Sequence, residues 1–143
     1  MKMIFSCTLY EGKGLNKKYN NLISTHNPTK EDIIKNLEFL RCCTGAARLS
    51  VDPEPELGPS ELSVQYDGEK YLFTLLEYVG ANGEMIIRGK ANFNGGGDLI
   101  EFLSDGELYP PNAITTDFEF IKKVFLEFLE TGNVSYDLMD RIY

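Results

Sequence analysis

Hydrophobic positions near the end of the chain recur with the period of an α-helix, in the stretch TTDFEFIKKVFLEFLETG at residues 115–132. At about 100° per residue they fill one wide face, and lysine and glutamate side chains occupy the opposite face. Thr116 followed by Glu119 predicts a capping box, and Gly132 predicts the helix end. An isolated helix of this length is marginal in water, so its apolar face predicts packing against a sheet.

A second helical pattern lies at residues 27–43, NPTKEDIIKNLEFLRCC. Thr29 is suited to the N-cap, with Asp32 at the third helical position. Three apolar residues then share one face, namely Ile33, Leu37 and Leu40. The sequence therefore predicts an amphipathic helix here, preceded by a polar loop over EGKGLNKKYNN at residues 11–21.

Between the two helices, apolar residues follow the two-residue period of β-strands. The dipeptides Asp67-Gly68 and Asn82-Gly83 are hairpin turn signals. Residues 70–79 are largely apolar, β-branched or aromatic, which favours a strand in the centre of a sheet. The start of the chain, MKMIFSCTLYEG, predicts another strand and lacks the apolar core of a signal peptide.

The order of these elements predicts an α+β fold. We expect one domain, residues 1–143, with a single antiparallel sheet of about five or six strands and two main helices packed on one face. No apolar run approaches the length of a membrane span. Because no export signal is present, we expect a cytoplasmic protein with reduced cysteines.

Charge is distributed unevenly along the chain. Residues 1–48 carry eight Lys/Arg against four Asp/Glu, a balance of +4, whereas residues 49–143 carry six against eighteen, a balance of −12. Residues 49–69 and 91–121 together hold twelve acids and no Lys, Arg or His. Nucleic acid is therefore excluded as the expected ligand, since phosphate binding needs clustered basic residues. A basic protein partner fits this charge, and so does acidity that serves solubility alone.

Signatures of catalysis and metal binding are missing. The one histidine, His26, has no accompanying nucleophile motif, and adjacent Cys42 and Cys43 lack the spacing of a zinc site. We therefore predict no catalytic residue, no cofactor and no metal site. Two alternatives stay open. One is an enzyme that uses the carboxylates of residues 98–107. The other is a small-molecule pocket between sheet and helices, lined by the aromatic residues Phe73, Phe93, Tyr109 and Phe118.

The last third of the chain resembles immunity proteins of bacterial polymorphic and contact-dependent toxin systems, most nearly the Imm1-like type. The similar segments are LYPPNAIT and the helix end FLEFLETGNVS. Matching positions are Pro110 or Pro111, Phe128, Thr131 and Gly132. The upstream strands, RLSVD and LSVQYDGEKYLFTLLEY, are similar in style.

The resemblance implies a small cytoplasmic protein, monomeric or a small homo-oligomer, that binds a cognate toxin domain and blocks it without catalysis. An acidic surface can occupy the phosphate-binding region of a basic toxin such as a nuclease. We therefore predict a partner-binding surface made by seven residues of the two acidic stretches, Asp98, Glu101, Asp105, Glu107, Tyr109, Glu54 and Glu56.

Overall fold

The chain folds into a large antiparallel sheet with both helices on one face, which confirms the predicted α+β class. The structure is a computed structural model that describes residues 2–11, 18–91, 97–103 and 105–142, with side chains for all of these except 11 and 18–22. The helices are α1 (Lys30–Cys42) and α2 (Phe118–Thr131). The strands are β1 (Lys2–Glu11), β2 (Lys18–His26), β3 (Thr44–Asp52), β4 (Gly58–Tyr66), β5 (Tyr71–Tyr78), β6 (Met85–Lys90), β7 (Ile100–Glu101), β8 (Leu108–Tyr109), β9 (Ile114–Thr115) and β10 (Met139–Arg141).

The strand order in the main sheet is β10-β6-β5-β4-β3-β1-β2, and β9 pairs with the first residues of β5. β5 lies between β4 and β6, so the predicted central position of residues 70–79 is confirmed. β7 and β8 form a separate two-stranded hairpin. Within the described ranges the main sheet has eight strands rather than the expected five or six.

The extra strands arise where the sequence carries little apolar alternation. β2 includes residues 18–21 of the segment predicted to be a polar loop, because pairing with β1 satisfies its backbone groups whatever its side chains are. Residues 12–17 of that segment lie outside the described residues. β9 and β10 have only two and three residues, which is too short for a periodic pattern.

Helix α1 begins as predicted. The Thr29 hydroxyl accepts a hydrogen bond from the Asp32 N–H, and the Asp32 carboxylate accepts one from the Thr29 N–H. These bonds lower the pKa of Asp32 and satisfy two backbone donors that the helix leaves unpaired.

Helix α2 ends as predicted but begins differently. Its N-cap is Asp117, whose carboxylate accepts the Phe120 N–H, so the capping box expected from Thr116 and Glu119 is wrong. An aspartate placed next to a threonine competes for the same role and also favours the positive end of the helix dipole. Gly132 has φ +75°, and its N–H donates to the Phe128 carbonyl.

The core lies between the helices and the sheet. Phe5 and Phe125 meet edge to face at 6.5 Å, and Phe73 and Phe120 do so at 5.3 Å. Phe73 is fully buried and Phe118 is 7% exposed, so both belong to this core. Phe93 lies outside the described residues. No helix in the described ranges is long and apolar enough to span a bilayer.

Arg88 is a fully buried charge on the helix-facing side of β6. Its Nη1 lies 2.9 Å from the Glu77 carboxylate, and its guanidinium lies 3.7 Å from the centre of the Tyr136 ring. The Tyr136 hydroxyl donates to Glu77. Arg88 also donates to three groups of the segment after α2, the Asn133 side chain and the carbonyls of Val134 and Met139. This Arg88 cluster therefore fixes the C-terminal segment to the sheet.

Candidate functional site: an acidic hairpin

The hairpin of residues 97–103 and 105–109, here called the acidic hairpin, lies against the end of the sheet where β5 begins. Ile100 pairs with Tyr109 and Glu101 with Leu108. Fully buried Phe102 packs with Leu72 and Ile114 on the sheet face opposite the helices. A second, smaller apolar cluster therefore anchors the hairpin.

Asp67 connects the acidic hairpin to the β4–β5 turn. One of its carboxylate oxygens accepts the Leu103 N–H at 2.9 Å, and the other accepts the N–H groups of Glu69 and Lys70. Burial of this carboxylate opposes its ionisation, but the three N–H donors prevail, so the pKa of Asp67 is lowered. The hairpin is thus tied to the sheet by both apolar contacts and hydrogen bonds.

The outer side of the hairpin combines negative charge with exposed apolar side chains. Four acids are exposed, Asp98, Glu101, Asp105 and Glu107. Three leucines are more than half exposed, Leu99 at 56%, Leu103 at 52% and Leu108 at 57%. Exposed leucines grouped among negative charges are typical of interaction surfaces, because soluble monomers rarely expose large contiguous apolar patches.

Tyr109 holds the hairpin's turn in place. Its hydroxyl donates to the Asp105 carboxylate at 2.5 Å, and that carboxylate also accepts the Glu107 N–H. The pKa of Tyr109 is raised to about 12, mainly by the hydrogen bond to Asp105 and to a lesser extent by partial burial. The phenol therefore stays neutral at physiological pH, and its ring packs edge to face on Phe102 at 6.2 Å.

Glu54 and Glu56 lie elsewhere, in the exposed loop between β3 and β4. That loop is beside the far end of β5, where the Tyr78 hydroxyl donates to Glu54. Tyr78 and Leu72 are six residues apart on one strand, so this loop is about 20 Å from the hairpin's anchor. The structure thus brings together five of the seven predicted contact residues and leaves Glu54 and Glu56 as a separate acidic site.

Sequence reasoning named the acids but missed the leucines. Leu99, Glu101 and Leu103 are exposed and alternate with partly buried Ile100 and fully buried Phe102, which is the period of a strand with one solvent face. Asp105-Gly106 is the same type of hairpin turn signal as Asp67-Gly68, and Gly106 has φ +70°. Applied here, these two rules predict the hairpin and its exposed leucines.

The predicted pocket between sheet and helices is occupied at Phe73 and Phe118 by core packing. A groove of about 380 Å³ lies instead on the opposite face of the sheet, beside the acidic hairpin. Its walls include Leu72, Ile87, Leu108, Tyr109 and Ile142, and its floor includes the hydroxyls of Ser63 and Thr74. Among the described residues, no group of three or more His, Cys, Asp or Glu is arranged to hold a metal ion.

Fold and site together define a small antiparallel α+β protein with an acidic hairpin on the sheet face that the helices leave open. The chain belongs to DUF6911, a family of unknown function, whose model matches residues 8–138. Its fold is similar to the crystal structure of a hypothetical protein from Neisseria gonorrhoeae, with a TM-score of 0.76 and 20% identity over 94% of this chain and 92% of that chain. No curated protein matches. At this identity the similarity concerns the fold alone.

Proposed function

We propose that this protein is an immunity-type inhibitor that binds a basic toxin domain through the acidic hairpin. The observation that carries the proposal is the composition of that hairpin. Its residues 97–109 contain four acids and no Lys or Arg, and they expose three leucines. A partner with a basic rim around an apolar centre complements this surface in both charge and hydrophobicity.

The anchoring of the hairpin supports the same function. Phe102 and the Asp67 hydrogen bonds hold it against the sheet before any partner arrives. A preorganised surface loses less conformational entropy on binding than a flexible loop does. An inhibitor also needs no catalytic group, because it acts by occupying its target's active surface. The resemblance of the last third of the chain to immunity proteins supports a cognate toxin domain as the partner and a cytoplasmic location.

The test is a growth-protection assay with the toxin domain encoded beside this gene. A hairpin variant carries Asp98→Asn, Glu101→Gln, Asp105→Asn and Glu107→Gln. A matched variant neutralises four exposed acids elsewhere, Glu31, Glu119, Glu130 and Asp140. We expect the hairpin variant to lose protection and the matched variant, with the same net charge, to retain it.

Equal protection by both variants and by the parent would remove the hairpin from the interface. Equal loss in both would mean that net charge, rather than a particular surface, controls binding. Circular dichroism of each variant establishes that the fold persists.

Small-molecule binding is the second candidate function, because the 380 Å³ groove is within the usual size of ligand sites. Its apolar walls and hydroxyl floor suit a compact apolar ligand with one hydrogen-bonding group. Thr74→Leu fills the floor and changes no residue of the acidic hairpin. A ligand of this groove should lose binding to that variant, whereas a toxin should bind it as it binds the parent.

A further inference from the structure

Strand β2 is the outer strand of the sheet, and its backbone has unpaired groups on the outer side. The Asn27 N–H donates to the Met3 carbonyl at 2.7 Å, which fixes the antiparallel alternation of β1 and β2. Thr25, two residues before Asn27, also forms backbone hydrogen bonds with β1. The N–H and C=O groups of Ser24 and His26 point away from β1. No described element pairs with these groups.

Between Ile23 and His26 this edge lacks the features that usually protect a sheet from further pairing, because Lys18 is at the other end of β2 and Pro28 follows the strand. From Ile23 to His26 there is no proline, no lysine and no bulge, because the shift in register falls between Leu9 and Tyr10. The stretch ISTH also contains two β-branched residues, Ile23 and Thr25, which favour extended backbone. Natural proteins normally blunt such an edge or use it for pairing.

A groove of about 620 Å³ follows the same edge on the helix side of the sheet. Its floor is formed by side chains of β1 and β2, and its wall by one flank of α1. The aromatic ring in that wall, Phe39, is 48% exposed. The residues that line it are Leu9, Ile23, Thr25, Asp32, Lys35, Asn36, Phe39 and Cys43.

Asn36 gives this groove a specific chemical requirement. Its side chain is 7% exposed, and its Nδ2 donates to the Asp32 carbonyl at 2.8 Å. Its Oδ1 is buried and accepts no hydrogen bond from any described residue. The carboxylate of Asp32 lies one turn away on the same flank of α1. The wall therefore contains one buried acceptor without a donor, the Asn36 Oδ1, next to the Asp32 carboxylate, which accepts the Thr29 N–H. Lys35 also lines the groove and is exposed.

A second copy of this chain does not meet that requirement. α1 packs over β1 and β3, so pairing β2 with its own copy places the two α1 axes about 19 Å apart, from strand spacings of about 4.8 Å. Packed helices lie about 8–10 Å apart. Both Asn36 side chains would stay without a donor in such a dimer.

We infer that the free edge of β2 and the adjoining groove bind an extended peptide segment of another protein, which adds a ninth strand and inserts a Lys or Arg side chain beside Asn36. The added strand lies about 12 Å from the α1 axis in the plane of the sheet. Only a long donor side chain spans that gap, and its stem packs along Ile23 and Phe39. Backbone pairing at Ser24 and His26 supplies affinity, and the donor supplies selectivity.

The experiment selects binders from a phage-displayed library of random twelve-residue peptides on the purified full chain. We expect alternating sequences with a central Lys or Arg. A synthetic peptide from this set should bind Ser24→Pro about tenfold more weakly or worse, because proline removes an outward N–H without breaking the β1 ladder. Ser24→Ala retains that N–H and is the matched control, with unchanged affinity.

The donor is tested by a double-mutant cycle between Asn36→Leu and a peptide whose basic residue is leucine. We expect each single change to weaken binding about fivefold, and the two changes together to weaken it little more than either one alone.

If Ser24→Pro unfolds, hydrogen exchange in the parent protein tests the edge instead. The amides of Ser24 and His26 should exchange more slowly when the peptide is bound. Binders without a basic residue, or no edge-dependent binders at all, would overturn the inference. A Ser24→Pro-sensitive dimer in sedimentation would also overturn it, since the edge would then be occupied by a second copy.

Discussion

The Arg88 cluster and the acidic hairpin use charge in opposite ways. Arg88 is completely buried, and its guanidinium is paired with Glu77, stacked on Tyr136 and bonded to backbone carbonyls. The acids of the hairpin are exposed, and among the described side chains the Tyr109 hydroxyl, which donates to Asp105, is the one that pairs with them. A buried charge must be paired within the fold, because water cannot solvate it. An exposed charge is solvated by water and can pair with a group of another molecule. Charge in the first region therefore serves the fold, and charge in the second is available for recognition.

The largest expected effect is on the Arg88 cluster. Arg88→Ala leaves the Glu77 carboxylate without its ion pair and frees the segment after α2, so we expect a loss of about 3–5 kcal/mol in the free energy of unfolding. Arg48→Ala is the matched control, because the Arg48–Glu61 pair is on the surface and should contribute less than about 1 kcal/mol. Urea unfolding of both variants measures the difference. Similar values for the two would abolish the contrast between buried and exposed charge.

The hairpin's anchor should rank next. Phe102→Ala removes a fully buried ring from the smaller cluster, and we expect a cost of about 3 kcal/mol, at the low end for a phenylalanine because the hairpin can shift to fill the space. Hydrogen exchange should show faster exchange at the amides of Leu103 and Gly106. A variant as stable as the parent would mean that the hairpin is held by something other than this ring.

A smaller effect concerns pH. The folded-state pKa of Asp67 is below its ordinary value of about 3.9, so its contribution to stability is present above that value and is lost as pH falls through the lower folded pKa. Asp67→Asn should therefore flatten the acid limb of a stability–pH curve measured between about pH 2 and 5. An Asp67→Asn curve that matches the parent's would contradict this account of the Asp67 carboxylate.

The smallest effect on stability is expected for the exposed leucines. Replacing Leu99, Leu103 and Leu108 by Ser should change the free energy of unfolding by about 1.5 kcal/mol in total, about 0.5 kcal/mol for each substitution, because each side chain is more than half exposed. The same triple variant should fail to protect cells in the growth assay. Strong destabilisation would show that the leucines belong to the fold and not to a recognition surface.

Much of the fold could be predicted because it follows local rules. The Thr29 cap, the wide apolar face of α2 and the Gly132 stop are each fixed by residues a few positions apart. β2 could not be predicted in this way, because its pairing depends on β1 rather than on its own pattern. The hydrogen-bond partners of Arg88 are 11 to 51 residues away along the chain, and a local sequence pattern cannot predict such contacts.

The most direct test of the central claim is the association rate with the toxin domain, measured by stopped flow across a range of salt concentrations. The hairpin variant with four neutralised acids should associate about tenfold more slowly than the parent at low salt, and the difference should shrink as salt screens the interaction. The matched variant with four neutralised acids elsewhere should follow the parent at every salt concentration. If both variants slow equally, or neither does, the acidic hairpin is not the surface that recognises the partner.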